Sequence, residues 1–285
     1  MLARARSGCA RAHIAARKRR ATRRMAAFDD VLAGCTWADG AEGNVADRLL
    51  GSMWTGEGWF RLGREHGASF RRLDLDGCLD ASAEHAVGSF ARVDRYRLPD
   101  NAPGGGGASI ARRYVVRDPA SLLRSLRRQA SALRSGARVS NVGGRRSDER
   151  AFDGDAGAWY APVKALVAEA LAADGALAKL SGWLNGSGDA DANALHDHGD
   201  AAFACVFFVD GGAAKPPHRD AGHLLLRTQL KAFTHEYAYV AVPPTPGDLW
   251  VFPGHVSHAV LPRALPGDAR AEGLRISVAC NAVLS

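Results

Sequence analysis

The pattern of the chain beyond Leu180 limits its possible folds more than any other feature. Short apolar segments rich in aromatic and β-branched residues follow one another there, separated by Gly, Pro and Asp. This rhythm is typical of an antiparallel sandwich or jelly roll. The predicted strands cover residues 202–209, 223–227, 237–242, 249–252 and 274–283. Because several of these segments are apolar on both faces, we expect them to lie between a second sheet and covering helices.

Two helices are predicted upstream, and they are the candidates for that cover. Asp118-Pro119 supplies an N-cap and a first-turn proline, and leucines then recur at helical spacing, which predicts a helix near 119–135. Apolar residues three and four apart from Trp159 to Leu171 predict a second helix, which Asp174-Gly175 would end. The expected fold class is mainly β with flanking α, arranged as a jelly roll covered by helices.

Charge is concentrated at one end of the chain, although the net charge is +7. Residues 1–24 hold nine basic side chains and no acid, so the remaining 28 basic residues nearly balance the 30 acidic ones. A leader rich in Ala and Arg and free of acids fits an organellar transit peptide, for a mitochondrion or a chloroplast. The alternatives are a disordered basic arm, or an extension upstream of a cytoplasmic protein that starts at Met25. A nucleic-acid arm is disfavoured, since the body offers no matching basic face.

The rest of the chain divides into two parts by its sequence pattern. Residues 25–138 form an N-terminal region without an assignable role, and a glycine run at 103–107 predicts a loop within it. Residues 139–285 form the strand-rich domain. The longest apolar stretch, near 203–209, has only the length of a strand, so we expect no membrane span. Five widely spaced cysteines without a C-x-x-C pair argue against a zinc or redox motif.

Three histidines in the strand-rich domain predict a metal site. His196 and His198 lie two residues apart, so both can point to one side of an extended chain while Asp197 points away. His258 follows the turn at 246–248 and a short apolar strand, a geometry that returns a later strand beside the first pair. Three nitrogen ligands on neighbouring strands would form an open-faced metal site.

An arginine on an otherwise apolar strand predicts an anion beside that site. Arg275 and Ser277 share a face, whereas Ile276 points to the other side. Burying an arginine is costly unless it meets an anion, and its planar fork suits a carboxylate. A dicarboxylate co-substrate with one end on the metal and the other on Arg275 and Ser277 fits this arrangement.

These elements together resemble a family of 2-oxoglutarate/Fe(II)-dependent oxygenases. The family pattern W-x-N, N-x-x-H-x-H, F-P-x-x-x-x-H and R-x-S-x-x-x-N corresponds here to residues 183–185, 193–198, 252–258 and 275–281. The resemblance covers about residues 139–284. It implies a double-stranded β-helix in which His196, His198 and His258 hold Fe(II). It also implies that Arg275 and Ser277 hold 2-oxoglutarate, and that an unidentified prime substrate is hydroxylated with release of succinate and CO₂.

Several alternatives stay open at the level of sequence. His198-Gly199-Asp200 would restore the carboxylate that the wider superfamily uses and leave His196 outside the metal's ligands. His255 competes with His258 as the distal ligand. A cupin-like metal protein is a second function class, although Arg275 would then be unexplained, and a non-catalytic jelly-roll binding module is a third. The sequence identifies neither the prime substrate nor the oligomeric state.

Overall fold

Two β-sheets packed face to face form the core of the computed structural model. It describes residues 45–50, 52–54, 59–61, 69–80, 84–85, 88–100, 107–134, 140–147, 159–175, 177–212, 219–230, 236–265 and 273–285. The basic leader expected at 1–24 lies outside these residues, as does the glycine-rich loop up to residue 106.

The described residues up to Leu171 contain three helices and eight strands. They are α1 (Val45–Leu50), β1 (Ser52–Trp54), β2 (Trp59–Arg61), β3 (Ser69–Leu73), β4 (Glu84–His85), β5 (Phe90–Asp100), β6 (Gly107–Val116), α2 (Ala120–Ser131), β7 (Asn141–Val142), β8 (Arg145–Arg146) and α3 (Ala161–Leu171). A single 3₁₀ turn spans Asp76–Cys78.

The elements described beyond Leu171 are strands. They are β9 (Leu177–Ser187), β10 (Ala192–His196), β11 (Phe203–Asp210), β12 (Leu224–Gln229), β13 (Glu236–Val242), β14 (Asp248–Pro253), β15 (His258–Val260) and β16 (Arg275–Leu284). Five of these strands match the five predicted segments to within two residues at each end.

From β9 to β16 the chain passes repeatedly from one sheet to the other, as in a jelly roll. One sheet runs β2-β1-β10-β15-β12-β13-β3, with β7 also paired to β10, and the other runs β4-β5-β6-β14-β11-β16-β9-β8. Most neighbours are antiparallel, while β1 pairs with β10 and β3 with β13 in parallel. The mainly-β jelly roll expected from the sequence is therefore confirmed.

The core is layered, with one apolar cluster between the sheets and one on each outer face. The inner cluster contains Trp250 and Phe252, which are at most 1% exposed. On the outside of the second sheet, α2 and α3 pack against β-strand residues such as Val278 and Cys280. On the outside of the first sheet, α1 packs against the sheet. The helices thus bury the apolar outer faces of the strands that the sequence predicted.

The two predicted helices are present, with shifted ends. The helix expected near 119–135 spans Ala120–Ser131, and its start carries no side-chain cap hydrogen bond. Asp118 therefore does not cap the helix as expected. Its backbone has a φ of 46°, so the chain turns sharply before the helix begins. The second helix ends at Leu171, close to the predicted stop.

Strands before residue 139 share both sheets with the strands after it. The long hairpin of β5 and β6 joins the second sheet through β14, where Leu249 pairs with Tyr114. The division at residue 139 stays a prediction, but β3, β5 and β6 have a structural role that the sequence did not reveal. They extend the sheets that carry the histidines. Within the described ranges, no helix is long and apolar enough to cross a membrane.

Candidate active site

His196, His198 and His258 converge between the sheets. One ring nitrogen from each lies within 4.8 Å of the others. The Nε2 atoms of His198 and His258 are 3.1 Å apart, and the ring centroids of His196 and His258 are 4.2 Å apart. The three residues that the sequence singled out as metal ligands are therefore brought together.

The strand register explains this convergence. His196 ends β10 and is the direct cross-strand partner of His258, the first residue of β15. Cross-strand partners point to the same face of a sheet. An irregularity in the pairing lies between Asn193 and His196. Such a bulge resets the alternation of side chains along a strand. Asn193 and His196 can therefore both face the other sheet although they are three residues apart. His258 is 3% exposed, and its ring contacts that of Phe252.

Backbone carbonyls fix the tautomers of two of these histidines. Nδ1 of His196 donates to the carbonyl of Ala194 at 2.6 Å, and Nδ1 of His258 donates to the carbonyl of Val256 at 3.0 Å. With the proton on Nδ1, the lone pair of Nε2 is free to bind a metal. Nε2 of His196 also lies 3.4 Å from the hydroxyl of Ser140.

Burial keeps all three imidazoles neutral. It lowers the pKa of His198 to about 3, with smaller effects from the charges of His196 and Arg146. Burial also lowers the pKa of His196, and it holds the pKa of His258 well below its usual value. Neutral imidazole is the form that binds a transition metal. The donor set therefore fits a divalent metal such as Fe(II).

Neither alternative ligand joins this group. Asp200 is exposed in the turn after His198, and it is absent from the cluster of ligand-type side chains among the described residues. His255 is exposed as well, and its Nε2 lies 3.3 Å from the hydroxyl of Ser109 on β6. Among the described residues, the histidine register brings its three side chains together, and the assignment of these histidines as metal ligands stays a prediction.

Arg275 crosses the gap between the sheets at the start of β16. It is 4% exposed, and its Nη1 donates to the carbonyls of Gly222 at 3.0 Å and Leu261 at 2.9 Å. Gly222 presents its carbonyl from a φ of 75°, a conformation that favours glycine. Burial lowers the pKa of Arg275 to about 10, and the charge of Arg263 acts in the same direction. The guanidinium is thus still charged at neutral pH.

Ser277 lies between Arg275 and the histidines. On the neighbouring strand, Trp183 pairs with Ala279, and the Trp183 ring centroid is 6.3 Å from that of His198. Since a strand rises about 3.4 Å per residue, the Cα of Arg275 is about 13 Å along β16 from this level. Ser277 is halfway, opposite Asn185. This span can accommodate a short dicarboxylate, because the arginine side chain covers part of it.

Three further residues contribute to the site. Trp183 faces His198, Ser140 contacts His196, and Arg146 stacks on Trp183 with its Cζ 4.1 Å from the ring centroid. Trp183 lies in the quoted family segment 183–185, which was the available signal, and Ser140 lies only within the wider range 139–284 of the resemblance. Nothing in the sequence separated Arg146 from its neighbour Arg145.

With this geometry established, the comparison with known families is informative. Residues 181–281 match the sequence profile of the family described as "Putative 2OG-Fe(II) oxygenase". This segment contains all three histidines, Arg275 and Ser277. Over these residues the chain is similar to 2OG-Fe(II) oxygenases, which are oxidoreductases that use Fe(II) and 2-oxoglutarate. The histidine cluster of this chain could bind such a metal.

Several solved structures are similar to the chain at low sequence identity. A Pseudomonas putida prolyl-4-hydroxylase is 21% identical, with a TM-score of 0.42, 59% of this chain and 88% of that chain covered. An oxidoreductase of the 2OG-Fe(II) oxygenase family from Burkholderia pseudomallei is 15% identical, with a TM-score of 0.38 and coverages of 57% and 78%. The non-heme alpha-ketoglutarate-dependent epimerase SnoN from nogalamycin biosynthesis is 14% identical, with a TM-score of 0.37 and coverages of 66% and 78%. A comparison with curated proteins gave no match.

Proposed function

We propose that this oxygenase holds Fe(II) with His196, His198 and His258 and hydroxylates a prime substrate. In the overall reaction, 2-oxoglutarate and O₂ would convert a C–H bond of that substrate to C–OH, with release of succinate and CO₂. The observation that carries the proposal is the convergence of three neutral imidazole nitrogens within 4.8 Å, across the sheets from a buried arginine.

The protein's part in this reaction is binding and orientation. Bound Fe(II) would supply the oxygen chemistry. Three protein ligands leave coordination positions for 2-oxoglutarate and O₂. The carbonyls of Ala194 and Val256 hold His196 and His258 so that Nε2 faces the metal position. Arg275 and Ser277 would bind the distal carboxylate, which aims the 2-oxo acid end at the histidines.

The apolar surroundings serve the same reaction. Phe252, which is fully buried, lies against the His258 ring, and Trp183 lies beside His198. Side chains of this kind exclude water from the site, which strengthens the electrostatic interactions inside it and limits side reactions.

The test is anaerobic addition of Fe(II) and 2-oxoglutarate to the full chain. We expect a weak visible charge-transfer band, followed by succinate release on exposure to air. His196→Ala, His198→Ala and His258→Ala should each abolish the band. His255→Ala is the matched control, since this histidine is exposed and bonded to Ser109, and Asp200→Ala is the second control.

The outcomes separate the candidate functions. A wild-type protein that gives neither band nor succinate would favour a non-catalytic binding module. Loss of the band in Asp200→Ala, with the band retained in His196→Ala, would replace the three-histidine site by one with a carboxylate. Metal binding that is indifferent to Arg275→Gln and to 2-oxoglutarate would favour a cupin-like protein.

A further inference from the structure

The inner face of β16 is open to the gap between the two sheets. Val278 and Cys280 pack under the helices on the outer face, so the residues that alternate with them face inward. These inward residues are partly exposed, and they are Ser277, Ala279 and Asn281. Val206 of β11 is also partly exposed, although β14 and β16 flank its strand on both sides. Side chains at the centre of a sheet are exposed only where the facing sheet leaves them uncovered, so a pocket lies over this part of β11 and β16.

Asn281 lies beyond the metal position as seen from Arg275. Trp183, whose ring faces His198, pairs with Ala279 on β16. Since a strand rises about 3.4 Å per residue, Asn281 is about 7 Å past this level and about 20 Å from Arg275 along the strand. The proposed co-substrate lies between Arg275 and the metal. The pocket beside Asn281 is therefore on the side that is left for the prime substrate.

The side-chain amide of Asn281 has no hydrogen-bond partner among the described residues. Its Oδ1 atom is buried and accepts no hydrogen bond. A buried acceptor is costly to leave unpaired, so this oxygen requires an N–H or O–H donor. Ionised 2-oxoglutarate offers only acceptor oxygens and cannot supply one. Ser181, the cross-strand partner of Asn281, is partly exposed and places a hydroxyl beside the amide.

We propose that Asn281 determines specificity for the prime substrate by binding an amide group of that substrate, which holds the adjacent C–H bond at the metal position. This inference rests on the proposed function, because it concerns the prime substrate of that same site. A carboxamide has one acceptor oxygen and two N–H donors. A substrate amide presents the complementary N–H and C=O, so it can bond to both ends of the Asn281 side chain. An ester or a carboxylate lacks the donor, and an ammonium group lacks the acceptor.

The experiment measures equilibrium binding of two simple probes to the full chain. The protein is saturated anaerobically with Fe(II) and 2-oxoglutarate, so that the metal and Arg275 are occupied. The probes are N-methyl-4-fluorobenzamide and methyl 4-fluorobenzoate, which have the same shape and differ in the N–H group. Binding is followed by ¹⁹F NMR. High-spin Fe(II) broadens the signal of a probe bound nearby, so the broadening relative to a Zn(II) sample reports proximity to the metal.

The quantity to compare between variants is the dissociation constant of the ester divided by that of the amide. The two probes differ in hydration, but this difference is the same for every variant and cancels in the comparison. Asn281→Leu keeps a similar size and cannot accept the N–H, so the ratio should fall at least about 5-fold relative to wild type. Asn281→Ala, which only removes atoms, should lower the ratio in the same direction.

Thr228→Val is the matched control. The hydroxyl oxygen of Thr228 is likewise buried without a partner, but this residue lies on β12, which packs against β5 rather than β16. Replacing it with valine removes an unpaired polar atom of the same domain and changes the side-chain volume little. The ratio of the two dissociation constants should therefore stay at the wild-type value.

Four results would overturn the inference. The first is an unchanged ratio in both Asn281 variants. The second is an equal fall in Thr228→Val. The third is a probe signal no broader with Fe(II) than with Zn(II), which would place the probe away from the metal. The fourth is a loss of 2-oxoglutarate affinity in Asn281→Ala as large as that in Arg275→Gln, which would assign Asn281 to the co-substrate.

The charge-transfer band reports separately on the proposed function. A wild-type protein without the band, whose ratio in the Zn(II) sample still falls in the Asn281 variants, would refute the oxygenase mechanism and retain amide recognition. A wild-type protein with the band but without this fall would retain the oxygenase mechanism and refute amide recognition by Asn281.

Discussion

Replacing Arg275 with Gln should remove the enzyme's preference for a dicarboxylate co-substrate. Arg275 is 4% exposed and uses Nη1 for two backbone carbonyls, so the rest of the guanidinium is available for the distal carboxylate of 2-oxoglutarate. A hydrogen bond to a charged group contributes about 1.5 to 3 kcal/mol, or roughly 10- to 100-fold in affinity. Wild type should prefer 2-oxoglutarate over 2-oxovalerate, which lacks that carboxylate, by at least this factor.

The comparison of two ligands separates binding from structural damage. Arg275→Gln also weakens the contacts with the carbonyls of Gly222 and Leu261, and any resulting distortion should affect both 2-oxo acids alike. The ratio of their dissociation constants, measured from the charge-transfer band under argon, therefore reports the distal carboxylate alone. We expect the ratio to fall close to one in Arg275→Gln and to be partly retained in Arg275→Lys.

Another buried arginine, Arg263, provides the control. Arg263 is 5% exposed and lies near Arg275, but it pairs with Asp189 at 2.8 Å and donates to the Gly273 carbonyl. Arg263→Gln should lower stability and leave the ligand ratio unchanged. A ratio that survives in Arg275→Gln, or that collapses equally in Arg263→Gln, would refute the assignment of Arg275 to the distal carboxylate.

Three further predictions concern stability and targeting. Burial holds the pKa of His258 well below the value of about 6.5 expected in the unfolded chain, so the metal-free protein should lose stability as pH falls below about 6.5. The loss of unfolding free energy from this residue is about 1.4 kcal/mol per pH unit. His258→Gln, but not His255→Gln, should flatten the dependence of the urea midpoint on pH. Leu184→Ala should lower the free energy of unfolding in urea by about 2 to 5 kcal/mol, since Leu184 is fully buried in the cluster under the helices. Leu79→Ala is the control, because its side chain is 42% exposed, and it should cost under about 1 kcal/mol. Residues 1–24 fused to a fluorescent protein should direct it to an organelle in a eukaryotic cell, and replacing the arginines of this leader with Gln should leave the fusion in the cytosol.

Local sequence patterns predicted the strands and the residues of the site. The alternation of apolar residues gave five strands of the jelly roll, because side chains two apart must share a face. The same rule placed Ser277 with Arg275 and opposite to Val278, which packs under the helices. The spacing of His196 and His198 likewise indicated two ligands on one side. These predictions need only the geometry of a single strand.

The pairing of distant strands could not be predicted in the same way. His258 rather than His255 joins the cluster because β15 pairs in register with β10, which places His258 opposite His196. Residues 25–138 had no assignable role in the sequence, yet β5 and β6 within them form a hairpin whose partner is β14. Such contacts depend on which strand edges meet in the folded chain, and this is a property of the whole sheet.

The sequence by itself therefore determined the fold class, the pair of His196 and His198 and the arginine strand, because each follows from short-range alternation and from the chemistry of the residue types. Only the tertiary structure left Asp200 exposed to solvent and brought Arg146 against Trp183. In both cases the deciding quantity is the burial of a charged side chain. Burial depends on the packing of segments far apart in the chain, and no local pattern specifies it.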